Sequence, residues 1–375
     1  MNNQFYLLQV QSLLGDYQSP LLSFVTAFIV TLLTIPPLIQ LINRYKLYDI
    51  PDERKKHKMP VPTMGGIAIM AGLIVSSLIW QPLQAEFGQL AFFFSLLALM
   101  FTGIMDDIKD LSAKYKFAIQ IAIATLIAVS GIRITSFNGL FGIDTLPLYS
   151  QFFFTILAIV GITNAFNLVD GIDGLAGGLA FMSLITLGLF LTLSGDINTA
   201  LIAFAAAGGV LAFLYFNFNP ARIFMGDTGS LVLGFIISVL CVRLLQVNTF
   251  ATHPVLPNAP VFVLGITLVP VFDTLRVFIT RTWKGSSPFL ADRTHIHHLL
   301  TNNGFSHVFA VRVICFVHAL VLIEVYLLRN IMQEITLAVL IGLMILVAIV
   351  LKKSKTFFRL NTKEKLFPDE QRSIE

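Results

Sequence analysis

Apolar residues in this chain do not alternate with polar ones; they run on. Continuous apolar stretches of roughly 18–22 residues recur from end to end, separated by short segments that carry most of the charge. Runs of that length suit the ~30 Å hydrocarbon core of a bilayer, which takes about 20 helical residues to cross. Strands of a membrane barrel would alternate apolar and polar positions over about ten residues, and these runs are unbroken. The pattern predicts eleven helices, over 21–43, 63–81, 87–105, 115–133, 150–168, 175–194, 199–216, 229–246, 261–280, 307–328 and 335–351. The expected fold class is all-α, a polytopic membrane protein. One multi-spanning domain covers 1–351. A basic tail, 352–375, is expected to be interfacial or disordered, with its leading "KKSK" against anionic lipid.

Composition agrees, because 56% of the 375 residues are hydrophobic and only 12% charged, about half the charge of a soluble globular protein. Where that charge sits orients the chain. With the amino terminus outside, the cytoplasmic segments are 44–62, 106–116, 169–177, 217–228, 281–306 and the tail. They hold every Lys and Arg except Arg133 and Arg329 on the other face and Arg243, Arg276 and Arg312 within spans. This is the positive-inside asymmetry. The sequence pI near 9.0 is then an orientation signal and not a nucleic-acid footprint. The first 20 residues lack Lys and Arg, so no cleavable signal peptide is expected. Cys241 and Cys315 fall inside spans and read as buried apolar residues.

The cytoplasmic face collects acids at a depth where membrane proteins avoid them. "FTGIMDDIKD" ends an apolar run on Asp106 and Asp107, with Asp110 behind them. Asp170, Asp173, Asp227, Asp273 and Asp292 lie on the same face, as do Lys58, Lys114, Lys116, Arg222, Arg293, His295, His297 and His298. Adjacent carboxylates at a helix C-terminus repel each other and oppose the macrodipole, so a cation should offset both. Mg²⁺ suits a couple of carboxylates completed by substrate phosphates and water. Solvation beside Lys109 is the plainer alternative.

In "NLVDGIDGLAGG", Asn164, Asn167, Asp170 and Asp173 recur every third residue. At helical spacing they form one polar stripe, continuous from one span into the next and suited to a nucleobase or sugar. An Asp-Gly turn is the competing reading. Asp227 in "RIFMGDTGS" opens a helix. It either caps that helix or ligates a metal, with phosphates near the free backbone N–H groups. Phe224 either stacks on a base or is an ordinary buried ring. "HIHH" lacks the H-E-x-x-H spacing, and with Arg293 it reads as phosphate-binding in preference to zinc-binding. Asp273 and Arg276, three apart, are expected to pair in a structural role.

Taken in order, "PTMGG" (62–66), "DD" (106–107) followed by "KFAIQ" (116–120), "NAFNLVDGIDGLAGG" (164–178), "FMGDTGS" (224–230) and "DRTHIHHLL" (292–300) carry a family resemblance. Together they resemble the polyprenyl-phosphate N-acetylhexosamine-1-phosphate transferases (glycosyltransferase family 4), over about 25–350. The resemblance implies a UDP-N-acetylhexosamine donor, undecaprenyl phosphate as acceptor, and Mg²⁺ or Mn²⁺. It also implies a site facing the cytoplasm in the bacterial inner membrane, and it is compatible with a homodimer. Asp227, joined by Asp170, is implied as a metal ligand. Asp106 and Asp107 would sit beside the metal and the lipid phosphate, Asp106 in the family's base role, with Lys116 on the phosphate side. Asn167, Asp170 and Asp173, on the stripe begun by Asn164, match positions of the nucleotide pocket, and Lys58 and Phe224 match positions near uridine. His295, His297 and His298, next to Arg293, are expected near the pyrophosphate or sugar.

The short "DDIKDLSAKYK" and interrupted "DRTHIHH" resemble the GlcNAc-1-phosphate branch, which initiates envelope polysaccharides, more than the phospho-MurNAc-pentapeptide branch of peptidoglycan synthesis. An ion-coupled transporter is the rival from another class, but it would place its acids near the midplane. An intramembrane metalloprotease would need H-E-x-x-H, and a scaffold would need none of these acids. A phosphate monoester has a second pKa near 6, so most acceptor is already a dianion at neutral pH. A base therefore gains little, and a single in-line attack is expected.

Overall fold

The computed structural model describes residues 2–45, 48–49, 61–82, 86–285 and 295–366. Lys58, Asp292 and Arg293 lie outside the described residues. The chain is helical almost throughout. Its helices are α1 (Asn2–Tyr45), α2 (Gly66–Trp80), α3 (Phe87–Lys109), α4 (Ala113–Val129), α5 (Leu148–Val169), α6 (Leu175–Leu193), α7 (Ile197–Asn217), α8 (Gly226–Phe250), α9 (Ala259–Trp283), α10 (Ile296–Asn302), α11 (His307–Leu327) and α12 (Gln333–Leu366). The extended structure named among the described residues is a two-residue antiparallel pair, Tyr48–Asp49 with Val61–Pro62. The protein is thus an all-α polytopic membrane protein.

All eleven expected helices are present, and nine helices among the described residues are long and apolar enough to cross a membrane. Two of the expected crossings are shorter. α2 has 15 residues and α4 has 17, which at 1.5 Å per residue falls short of the hydrocarbon core. α4 stops before 133 because Gly131, at φ +99°, turns the chain out of the helix. α1 starts well before residue 21 and passes through Pro20, and α12 runs past the apolar stretch as far as Leu366. The short α10 carries no apolar run and was not foreseen.

α7 and α8 form the centre: 83% of the residues in each apolar stretch are buried, against 17% in α12. Small residues make this possible. The "AAAGG" of α7 (205–209) lets α1 approach so closely that a Cβ on Gly208 would overlap the Phe24 carbonyl. Hydroxyls join the same helices, with Ser23 and Ser76 2.7 Å apart and Ser23 Oγ donating to Leu201 O at 3.0 Å. In lipid, where apolar side chains gain little by meeting each other, close backbone packing and such bonds drive association. The start of α8 is held in the same way. A Cβ on Gly66 would overlap the Gly229 backbone, and one on Gly103 the Thr228 backbone. The N-terminus of α8 is therefore wedged between the start of α2 and the end of α3.

Candidate active site

That wedge brings the DD pair against Asp227, 120 residues away. Gly226 takes φ +69° to start α8, and the residue at the N-cap, Met225, has no side-chain acceptor for the first N–H groups. Asp107 supplies it from α3. Its carboxylate accepts from Asp227 N (2.9 Å), Thr228 N (3.1 Å) and Thr228 Oγ1 (2.6 Å). Asp227 therefore does not cap its own helix, and those N–H groups are already taken by Asp107 and so are not free for phosphate. The Asp227 carboxylate points instead to Lys116, whose Nζ lies 2.9 Å from Asp227 Oδ2 and 2.8 Å from Asp106 Oδ2. The other oxygen of Asp106 accepts Leu111 N at 2.7 Å, which folds the α3–α4 turn over the pair.

α5 contributes the next layer. Asn167 donates to Ser230 Oγ (2.9 Å), which in turn donates to Gly226 O. Asn164 faces the other way and donates to Gln120 Oε1 of α4 (2.5 Å) and to Val160 O. α5 ends at Asp170, and the chain turns through 170–174 before α6, so the expected continuous stripe is broken. The turn chemistry of two Asp-Gly pairs outweighs the three-residue repeat. Asp173 is buried and binds a different loop, accepting from Asn219 Nδ2 (3.0 Å) and Ala221 N (3.2 Å). Asp170 differs: no donor among the described residues reaches its carboxylate, and it lies near Asp227, Asp107 and Asp173. Burial, followed by those three negative charges, pushes its pKa up to about 7.

Phe224 links this layer to α2 through its backbone, its N donating to Pro62 O (2.8 Å) and its O accepting from Gly65 N (2.9 Å). Its ring is half-buried.

The histidines form a second group. Asp273, 2% exposed on α9, pairs with Arg276 at 2.8 Å, as the spacing led one to expect. It also meets His295 Nδ1 at 2.9 Å and accepts Ile296 N at 3.1 Å from either oxygen, which caps α10. His297 is 2% exposed, and neither ring nitrogen has a partner among the described residues. Burial, then the neighbouring His298, lowers its pKa to about 3, so the ring is neutral at physiological pH. It packs directly on Gly171, next to Asp170. His298 lies against His297 with ring centroids 4.2 Å apart. Sequence reasoning gave Asp273 only its pairing with Arg276. The presence of an acid at membrane depth was the available signal for a larger part.

Among the described residues, no group of three or more His, Cys, Asp or Glu side chains is placed to hold a metal ion. Asp170 and Asp227 do offer what Mg²⁺ takes from proteins, one or two carboxylates with substrate phosphates and water filling the remaining positions. The carboxylate of Asp170, with no donor among the described residues and three other carboxylates nearby, is the observation that fits a cation site.

A family model described as glycosyl transferase family 4 matches residues 89–245. A probable undecaprenyl-phosphate N-acetylglucosaminyl 1-phosphate transferase of Bacillus subtilis (strain 168) is 34% identical over 335 residues, covering 88% of this chain and 92% of the relative. The undecaprenyl-phosphate alpha-N-acetylglucosaminyl 1-phosphate transferase of Escherichia coli (strain K12) is 32% identical over 75% of this chain and 76% of its own. The enzyme of the same name from Yersinia pestis is 34% identical over 69% and 71%. With the family model spanning α3 to α8, which build the carboxylate cluster, and relatives of this identity and coverage, the chain belongs to glycosyl transferase family 4, in the group of polyprenyl-phosphate N-acetylhexosamine-1-phosphate transferases.

Proposed function

We propose that this protein transfers GlcNAc-1-phosphate from UDP-GlcNAc to undecaprenyl phosphate, giving undecaprenyl-diphospho-GlcNAc and UMP at the cytoplasmic face of the bacterial inner membrane. The observation that carries the reading is the lysine-bridged pair Asp106–Lys116–Asp227 at the start of α8, with Asp170, which has no donor among the described residues, beside it. The acids sit at helix ends and not at the bilayer midplane, which favours a reaction at a lipid headgroup over carriage through the membrane.

Two polyanions must meet here, and their repulsion is the main barrier. Lys116 uses two of its three N–H donors on Asp106 and Asp227, which leaves the third for a phosphate oxygen. Mg²⁺ on Asp227 and Asp170 would supply charge to the diphosphate and to the departing UMP. An oxygen of the acceptor phosphate attacks the β-phosphorus of the nucleotide-sugar, the bond to the bridging oxygen breaks, and that oxygen leaves on UMP. Asp106 already accepts from Leu111 N and Lys116, so we assign it to holding Lys116 and not to proton abstraction. Asp107 acts through the helix start it caps. Asn167 fixes Ser230 and the α8 start, and Phe224 lines the nucleotide side.

The test is UMP release by purified protein with undecaprenyl phosphate and Mg²⁺, using UDP-GlcNAc, UDP-GalNAc and UDP-MurNAc-pentapeptide in parallel and Asp227→Ala as control. Acceptor-dependent release with UDP-GlcNAc, lost in the variant, is expected. Release with the pentapeptide donor alone would move the protein to the peptidoglycan branch.

A further inference from the structure

The histidine segment reaches its depth by an indirect route. α9 continues ten residues past Asp273 to Trp283, about 15 Å at the helical rise. The chain then returns far enough for His295 and Ile296 to meet Asp273 again. One carboxylate thus sets the level at which α10 begins, and with it the contact of His297 with Gly171 beside Asp170. Since Asp273 also faces the guanidinium of Arg276, it is ionised and can only accept. The proton between it and His295 therefore belongs to Nδ1. His295 Nε2 has no partner among the described residues.

We propose that Asp273 is a positioning residue for the transfer: its carboxylate holds His295 by Nδ1–H and so fixes the orientation in which the ring presents Nε2 to the diphosphate end of the nucleotide-sugar. This rests on the transferase reading above. The arrangement is that of a carboxylate-backed imidazole, in which the partner behind the ring fixes its tautomer and orientation. It extends the role of Asp273 beyond pairing with Arg276 and separates His295 from His297. His295 is held by a carboxylate, whereas buried His297 stays neutral.

The experiment is a double-mutant cycle on full-length protein in lipid nanodiscs, reading kcat/KM for UMP release in the unsubstituted protein, Asp273→Asn, His295→Gln and the double variant. Asp273→Asn is expected to cost roughly 10–100-fold, as removal of an outer carboxylate behind a functional histidine does. In the His295→Gln background the same change should cost less than about threefold, because the group it acts through is gone. Equal losses in both backgrounds would overturn the proposal. Asp273→Glu keeps the charge and should recover part of the loss; if neither Asp273 variant folds, the residue serves stability alone and the proposal fails. A second readout needs no turnover: in ¹⁵N-histidine-labelled protein the His295 signal should report a protonated Nδ1 that Asp273→Asn removes. Silence of the unsubstituted protein toward every nucleotide-sugar would sink the transferase reading, and the ¹⁵N signal would still decide the Asp273–His295 claim.

Discussion

Asp106 and Asp107 are neighbours in sequence and nearly identical in chemistry, yet they have different partners. Asp106 faces Lys116, while Asp107 faces the backbone of another helix. Nothing within "MDDIK" distinguishes them, because each is defined by a residue more than a hundred positions away or across a turn. The presence of a charged cluster was legible from acids placed at membrane depth; its internal division of labour was not. Lys116 bridges Asp106 and Asp227, so Lys116→Met should lower UMP release by roughly 100-fold or more, the scale seen when a preorganised donor to developing charge is removed. Asp170 gives a pH test. Its carboxyl, raised to about 7 in the folded protein from an ordinary value of 3.8, binds more protons folded than unfolded between those limits. Its contribution to stability therefore falls as pH rises from about 4 to about 7. Without divalent cation, the melting temperature of the unsubstituted protein should drop across that window relative to Asp170→Asn. Parallel curves for the two proteins would contradict the assignment.

Helices were the most legible feature, because an apolar run near 20 residues long has few other fates in a membrane chain. Their ends were less so. Gly131 shortens α4, the Asp-Gly turn breaks the stripe from Asn164 to Asp173, and α10 takes its cap from Asp273 on another helix. The start of α8 shows how one element's end depends on another. Losing the Asp107 carboxylate strands two backbone N–H groups and the Thr228 hydroxyl, so Asp107→Ala should cost about 2–3 kcal/mol of stability. Gly226→Ala places a methyl on a residue at φ +69° and 2.5 Å from Asp107 Oδ2. Alone it should cost at least about 1–2 kcal/mol. Combined with Asp107→Ala it should cost less than the sum, since the clashing carboxylate is gone. Thermal unfolding of the four proteins in one detergent measures the cycle.

At the scale of the whole molecule, the site lies where the helix ends α2, α3, α5, α8 and α10 converge, and we propose from the distribution of Lys and Arg that this end faces the cytoplasm. Single cysteines at the exposed positions Lys114 and Asp144 test it. A membrane-impermeant thiol reagent applied to intact spheroplasts should label Asp144→Cys and spare Lys114→Cys until the membrane is opened. The opposite end of the bundle explains Arg243, which the sequence left without a role: it meets Asp196, the N-cap of α7, at 2.6 Å. That pair ties α8 to α7 at the far end of the helix from Asp227, so the central helix is pinned at both ends.

The ammonium of Lys116 has a consequence for how such a protein is made. Because two carboxylates of the cluster already share a counter-charge encoded in the chain, the bundle can leave the insertion machinery and close around them without waiting for an ion from the cytosol. Chelated protein should then keep its fold while losing turnover. On the proposed Mg²⁺ site, a cell short of divalent cation would accumulate mature, silent copies, ready to start when the ion returns.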